Sequence, residues 1–182
     1  MARRLARGAG RIVRVKYFTA LVYPSGRDPT KQQRQTTYIA AIRSLPDVQV
    51  IYGRHRRRWM DCRVPRAKRK GCTEQGWPYY QEKQTDVNIA IEIINDAHDD
   101  AFDAMLLVSR DGDLARILRA IKSKFAQKRI VLASPPGPSS ADLPRYAHSH
   151  IHITNADFNA CRLPVVVTLK SRKQVARPKE WV

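Results

Sequence analysis

The period of the apolar positions changes along this chain, and each change marks an element. Ile12 to Val22 is rich in β-branched and aromatic residues and predicts a strand running to the Pro24-Ser25-Gly26 turn. Asp28-Pro29-Thr30 then opens a helix, with Asp28 as its cap and Pro29 at the first helical position. Tyr38, Ile39, Ile42 and Leu45 form its apolar stripe, and Pro46 closes it. Val48 to Tyr52 predicts a second strand, and Gln84 to His98 a helix whose Val87, Ile91, Ile94 and His98 recur at helical spacing. Phe102 to Val108 is almost continuously apolar, as a buried parallel strand requires. A helix over Asp113 to Phe125 turns Leu114, Ile117, Leu118 and Ile121 to the core, and Arg129 to Ala133 is the next strand. Ser140 to Tyr146 predicts a short helix and Ile151 to Ile153 a short strand. Strands alternating with helices of these lengths predict an α/β domain with helices on both faces of a mainly parallel sheet. The domain is expected over residues 12–160, with an irregular basic insertion at about 54–80 and a basic tail over 161–182 that lies on the domain or frays.

Charge adds a partner class. Lys and Arg number 34 against 16 Asp and Glu, a formal net charge of +18, which bears on polyanion binding and steering but not on fold. A nucleic acid is the natural partner, and an anionic membrane surface the weaker one, since no amphipathic helix pairs a greasy face with the arginine clusters. No apolar run is long enough to span a bilayer, and Arg3, Arg4, Arg7, Arg11 and Arg14 are not followed by the apolar core of a secretory signal. Three cysteines are too few for a disulfide framework, so a reducing cytoplasm is expected.

Against that basic background, carboxylates collect in two places. Glu82 and Asp86 are spaced i, i+4 where a helix begins, and Asp111 and Asp113 follow the apolar strand. In an open parallel sheet, ligands sit outside the carboxyl ends of the strands. Oxygen ligands at such an edge suit Mg²⁺ or Mn²⁺. Four like charges repel one another unless a cation or basic groups offset them. Helix capping explains each pair separately, since Asp and Glu favour first turns for dipole reasons alone.

The order E-K-Q-T-D-V-N-I-A-I-E at 82–92 followed by F-D-A-M-L-L-V-S-R-D-G-D-L at 102–114 resembles the NYN domain family, the PIN-like nuclease branch that includes bacterial LabA-like proteins. The family patterns are E-K-G-x-D-V and S-G-D-x-D-[FL]. V-R-V-K-Y-F-T-A at 13–20 and K-R-I-V-L-A-S-P at 128–135 are similar to two of its strands, and R-P-K-E-W at 177–181 to the closing segment of some bacterial members. The resemblance implies a PIN-like three-layer fold and metal-dependent hydrolysis of RNA. Asp86, Asp111 and Asp113 would be the catalytic, metal-holding acids, with Glu82 a further ligand and Lys83 contacting RNA. The alternative is a catalytically impaired RNA-binding module of the same fold.

Two departures bear on activity. Family members begin with a central strand of the type V-x-x-F-I-D-G-x-N-L, whose Asp is a principal metal ligand, and no such segment precedes Ile12. The stretch before Ile12 looks like the end of the helix that normally follows that strand. The expectation is a late start, with the strand encoded immediately upstream of Met1. Arg110 stands where the family has a small residue, and its guanidinium would pair with Asp111 or bind the scissile phosphate.

Arg54 to Lys70 holds nine basic side chains against the single acid Asp61. Arg54, Arg56, Arg57 and Arg58 with Trp59 fit backbone neutralisation and base stacking on single-stranded RNA, which carries no sequence readout by itself. Cys62 and Cys72 are too far apart in sequence for a zinc knuckle, and Cys161 reads as a small buried hydrophobe. His98 reads as a packed histidine. Self-association into a homo-oligomer is left open.

Overall fold

A computed structural model describes residues 1–6, 10–24, 28–60, 77–138 and 140–181. In chain order the elements are α1 (Ala2–Ala6), β1 (Val15–Thr19), α2 (Lys31–Arg43), β2 (Val48–Tyr52), β3 (Arg54–Met60), β4 (Trp77–Lys83), α3 (Thr85–His98) and β5 (Ala104–Val108). A 3-10 turn at Gly112–Leu114 leads into α4 (Ala115–Lys124), then β6 (Arg129–Ser134), α5 (Leu143–Tyr146), β7 (Ser149–His152), α6 (Asn155–Ala160), β8 (Val166–Thr168) and β9 (Gln174–Ala176).

All the parallel pairing lies in two pieces. β1 pairs with β2, and β5, β6 and β7 pair in that order, with no described strand joining β1 to β5. The core sits on the larger piece. Ile130 and Leu132 of β6 and Leu107 of β5 meet Leu114 of the 3-10 turn, Ile117, Leu118 and Ile121 from α4, Ile93 and Ala97 from α3, and Leu143 from α5. Leu114 and the three α4 positions expected in the core are all buried there. Alternation along β6 sends Ala133 to the opposite face, where Leu5 of α1 covers it beside Leu106, Ile151 and Ile153. This gives helices on both faces and a three-layer α/β arrangement. α1 is fixed from outside by Arg4, whose Nε donates to Asp157 Oδ1 at 2.7 Å. Asp157 also closes a capping box with Thr154 at the start of α6, and these hydrogen bonds hold its carboxyl far below the usual range.

α3 joins the two sheet pieces. Glu92 and Asp96 both pair with Lys16 of β1, the first at 2.7 Å, while Ile93 and Ala97 enter the main core. The stripe expected inside faces water instead: Val87 is 59 %, Ile91 48 % and Ile94 45 % exposed, and His98 is a surface side chain. The reason is that α3 is apolar around most of its circumference. Ile89, Ala90, Ile93 and Ala97 form a second stripe, and packing selected that one.

Two further expectations change, and the C-terminal segment gains a defined form. The insertion forms an antiparallel pair, β3 with β4, and residues 61–76, which include Cys62 and Cys72, lie outside the described residues. An arginine run has no apolar alternation, so the cross-strand register supplied what local pattern could not. Asp28 does not cap α2: the helix starts at Lys31, and the Asp28 carboxylate takes Arg34 Nη1 at 2.9 Å. Residues beyond 161 form the β8–β9 hairpin, which packs on α2. Among the described residues no helix is long and apolar enough to cross a membrane.

Candidate nucleic-acid and metal site

Asp86 lies in the first turn of α3, and Asp111 and Asp113 in the turn that follows β5. Both positions are at the carboxyl ends of parallel strands or the helix starts beside them, the edge where open α/β sheets bind ligands. Their electrostatics tie them together. Asp86 has its carboxyl pushed above the ordinary 3.8, first by partial desolvation and then by the charges of Asp111, Asp113 and Glu82. Like charges nearby disfavour the ionised form.

The local geometry explains how each is held. Ser109 Oγ accepts from Asp111 N at 3.1 Å, and Asp111 Oδ1 accepts from Asp113 N at 3.0 Å, so Asp111 caps the 3-10 turn. Gly112 lets this turn lie against Ser140: a Cβ there would stand 2.8 Å from Ser140 Oγ.

Glu82 is placed differently from expectation. It ends a strand instead of sharing a helix face with Asp86, and its Oε1 accepts from Thr85 Oγ1 at 2.5 Å. Between them Gln84 bends the chain with φ of 76°. The family pattern has Gly at this position, which removes the steric cost of a left-handed residue. Gln84→Gly is therefore expected to stabilise the protein by about 0.5–1 kcal/mol, the relief of strain net of added unfolded-chain entropy. In thermal denaturation that is a rise of roughly 1–4 °C. A lower melting temperature would show that the Gln84 side chain contributes more than the strain costs.

Arg110 does not reach Asp111. Its Nη1 donates to Pro138 O at 3.1 Å, lying over Gly137, where a Cβ would come within 2.0 Å of it. The guanidinium braces the proline-rich turn after β6. The expected pairing with Asp111 is thus replaced, because the β6 turn offers a carbonyl and an open glycine face beside the loop.

The β3–β4 pair supplies a basic arm. Register places Arg54, Arg56 and Arg58 opposite Lys83, Gln81 and Tyr79, so that four cations and one aromatic ring share one face. The other face carries His55, Arg57 and Trp59 opposite Glu82, Tyr80 and Pro78. There the Arg57 guanidinium lies 4.4 Å from the Trp59 ring centroid, and Tyr23 stacks on Tyr80 at 4.3 Å. Sequence alone grouped Arg54 to Trp59 as one cluster. The strand divides it, and it adds Tyr79 and Gln81 to the cationic face. That signal was legible only once β3 and β4 were paired.

The donor set is chemically suited to a hard divalent cation, which takes carboxylate oxygens. No three His, Cys, Asp or Glu side chains among the described residues are yet gathered closely enough to hold one. Asp86, Asp111 and Asp113 are thus not such a group in this arrangement. Asp111 and Asp113 sit on the turn after β5, and Asp86 on a separate element, the first turn of α3.

A fold of this layering, with acids at the carboxyl strand edge and the paired motifs that carry them, is that of a PIN-like nuclease domain. The chain belongs to the NYN domain family, which matches it over residues 2–154. It is 29 % identical over 180 residues to 6-hydroxy-3-succinoylpyridine 3-monooxygenase HspA of Pseudomonas putida, covering 92 % of this chain and 57 % of that protein. The chain thus spans little more than half the length of that relative. A protein of unknown function from Vibrio parahaemolyticus has a similar fold, with a TM-score of 0.50 and 22 % identity over 84 % of this chain and 75 % of that one.

Proposed function

We propose that this chain binds single-stranded RNA along the cationic face of the β3–β4 arm and hydrolyses a phosphodiester bond at the acid cluster with Mg²⁺ or Mn²⁺. The observation that carries the reading is the placement of Asp86 in the first turn of α3 and of Asp111 and Asp113 in the turn after β5, with Lys83 at the end of the basic arm three residues before Asp86. Same-face residues on a strand stand about 6.8 Å apart. Arg54, Arg56 and Arg58 therefore offer a row of cations to successive phosphates, while Tyr79 offers a stacking surface. Asp86, Asp111 and Asp113 would hold the ion, which supplies neutralisation of phosphodiester charge and a more acidic bound water. The chain's own part is to aim those oxygens and to hold the strand beside them. The Ser109–Asp111–Asp113 hydrogen bonds set the loop for that task.

A second reading, an RNA-binding module without cleavage, is supported by the spacing of the acids, no three of which are gathered among the described residues. One experiment separates the two. Purified protein is mixed with a labelled single-stranded RNA in Mn²⁺, alongside Asp111→Asn and the triple variant Arg54→Gln/Arg56→Gln/Arg58→Gln. Asparagine still caps the 3-10 turn, so folding is kept. The expected result is cleavage by the wild type, loss of cleavage with retained binding in Asp111→Asn, and weaker, less salt-sensitive binding in the triple variant. Binding without any Mn²⁺-dependent cleavage by the folded wild type would transfer the conclusion to the second reading. Absence of binding at low salt would overturn both.

A further inference from the structure

The cavity between α2 and the C-terminal hairpin has no part in the nucleic-acid reading, and its lining belongs to a different chemistry. It has a volume of about 460 Å³, within the ordinary range for small-molecule sites. Tyr38 and Ala41 of α2 form one wall, and Val167 and Val175 of the β8–β9 hairpin form the other. Trp181 closes one side, its ring meeting Tyr38 edge to face with centroids 5.7 Å apart, and Tyr38 is backed in turn by Tyr17 at 6.0 Å. Rings locked in this way present a fixed aromatic surface at little entropic cost.

Charge at this cavity is of one sign. Arg162 and Arg177 line it and no carboxylate does. Arg177 Nη2 donates to Leu163 O at 2.7 Å, which fixes the guanidinium and leaves further N–H donors of its fork. Arg162 is exposed at the rim. An apolar, aromatic interior with two guanidinium groups complements a flat apolar ring bearing an anion.

We propose that this cavity is a binding site for a small planar aromatic carboxylate, with the ring between Tyr38, Trp181 and the hairpin valines and the carboxylate at Arg162 and Arg177. The site goes beyond the nucleic-acid reading and shares no residue with it. Apart from Thr37, Tyr38 and Ala41, the lining lies beyond residue 154, where the family match ends. A ligand here would also clamp the C-terminal segment onto α2, because it touches both.

Isothermal titration calorimetry of the full chain with naphthalene-2-carboxylate, and with its neutral carboxamide, tests the proposal. Saturable binding of one carboxylate per chain is expected, with the carboxamide about tenfold weaker or more, the loss of a charge-assisted hydrogen bond. Arg162→Gln, a surface substitution that leaves folding intact, is expected to erase most of that difference. Val175→Phe fills the interior and is expected to abolish binding of both compounds, with circular dichroism confirming the fold. Equal affinity for the acid and the amide in the wild type would overturn the anion assignment. No saturable heat with the carboxylate would overturn the site. A dimer in sedimentation that Val175→Phe dissociates, in a protein that binds neither compound, would assign the cavity to a second copy and overturn the proposal.

Discussion

Asp86→Asn is expected to do two opposite things: lower Mn²⁺-dependent RNA cleavage on the order of 100-fold or more, and raise the thermal stability of the metal-free protein at neutral pH. Both follow from one fact. Burial and then the charges of Asp111, Asp113 and Glu82 push the Asp86 carboxyl above its ordinary 3.8. A carboxyl with a raised folded-state pKa binds more protons folded than unfolded between the two values, so stability falls as pH rises through that window. Above the window the ionised group remains a penalty, and below it the penalty disappears. The asparagine does not titrate. Its advantage in melting temperature should therefore be present at pH 7 and vanish as the pH falls below the ordinary carboxylate range. A divalent cation that binds only the folded state reverses the order, stabilising the wild type by about 2.7 kcal/mol at a hundredfold excess over its dissociation constant. Thermal melts of both proteins from pH 3.5 to 8, with and without Mn²⁺, read out all of this. An asparagine variant less stable than the wild type at pH 7 without metal would show that Asp86 is satisfied by a partner and is not part of a repelling cluster.

The second large effect separates two isoleucines two residues apart. Ile93→Ala is expected to cost roughly 2–4 kcal/mol, because its side chain is buried against Leu107 and α4 and its loss leaves a cavity. Ile91→Ala is expected to change stability by no more than about 0.5 kcal/mol, since that side chain is 48 % exposed. Urea denaturation of the two variants measures both. Comparable losses would mean that the Val87, Ile91, Ile94 stripe is covered in solution, as it would be in a homo-oligomer. A concentration-dependent melting temperature would then accompany them.

That pair also shows how far local pattern reached. Around α4 only one apolar stripe exists, so Leu114, Ile117, Leu118 and Ile121 could be placed in the core from spacing alone. Around α3 two stripes compete, and a period of 3.6 does not choose between them. The choice came from which side Lys16 and the β5–β6–β7 sheet occupied. The acids behave similarly. Their placement at strand and helix ends followed from where the apolar runs stop. Arg110, one residue away from Asp111, was drawn instead to Pro138 by a turn 28 positions later.

What the sequence by itself determined is the α/β alternation, the family, and the positions of Asp86, Asp111 and Asp113 at helix and strand ends. These depend on periodicity and on short motifs, both local properties of the chain. Only the tertiary structure decided the rest. It divided the parallel strands between β1–β2 and β5–β6–β7, and it paired an arginine run into β3 and β4 so that its cations fall on one face. It moved Glu82 onto a strand, and folded the C-terminal residues into a hairpin that encloses a cavity with α2. Each of these rests on contacts between segments far apart in sequence, where hydrogen-bond register and burial outweigh the weaker preferences of the residues themselves.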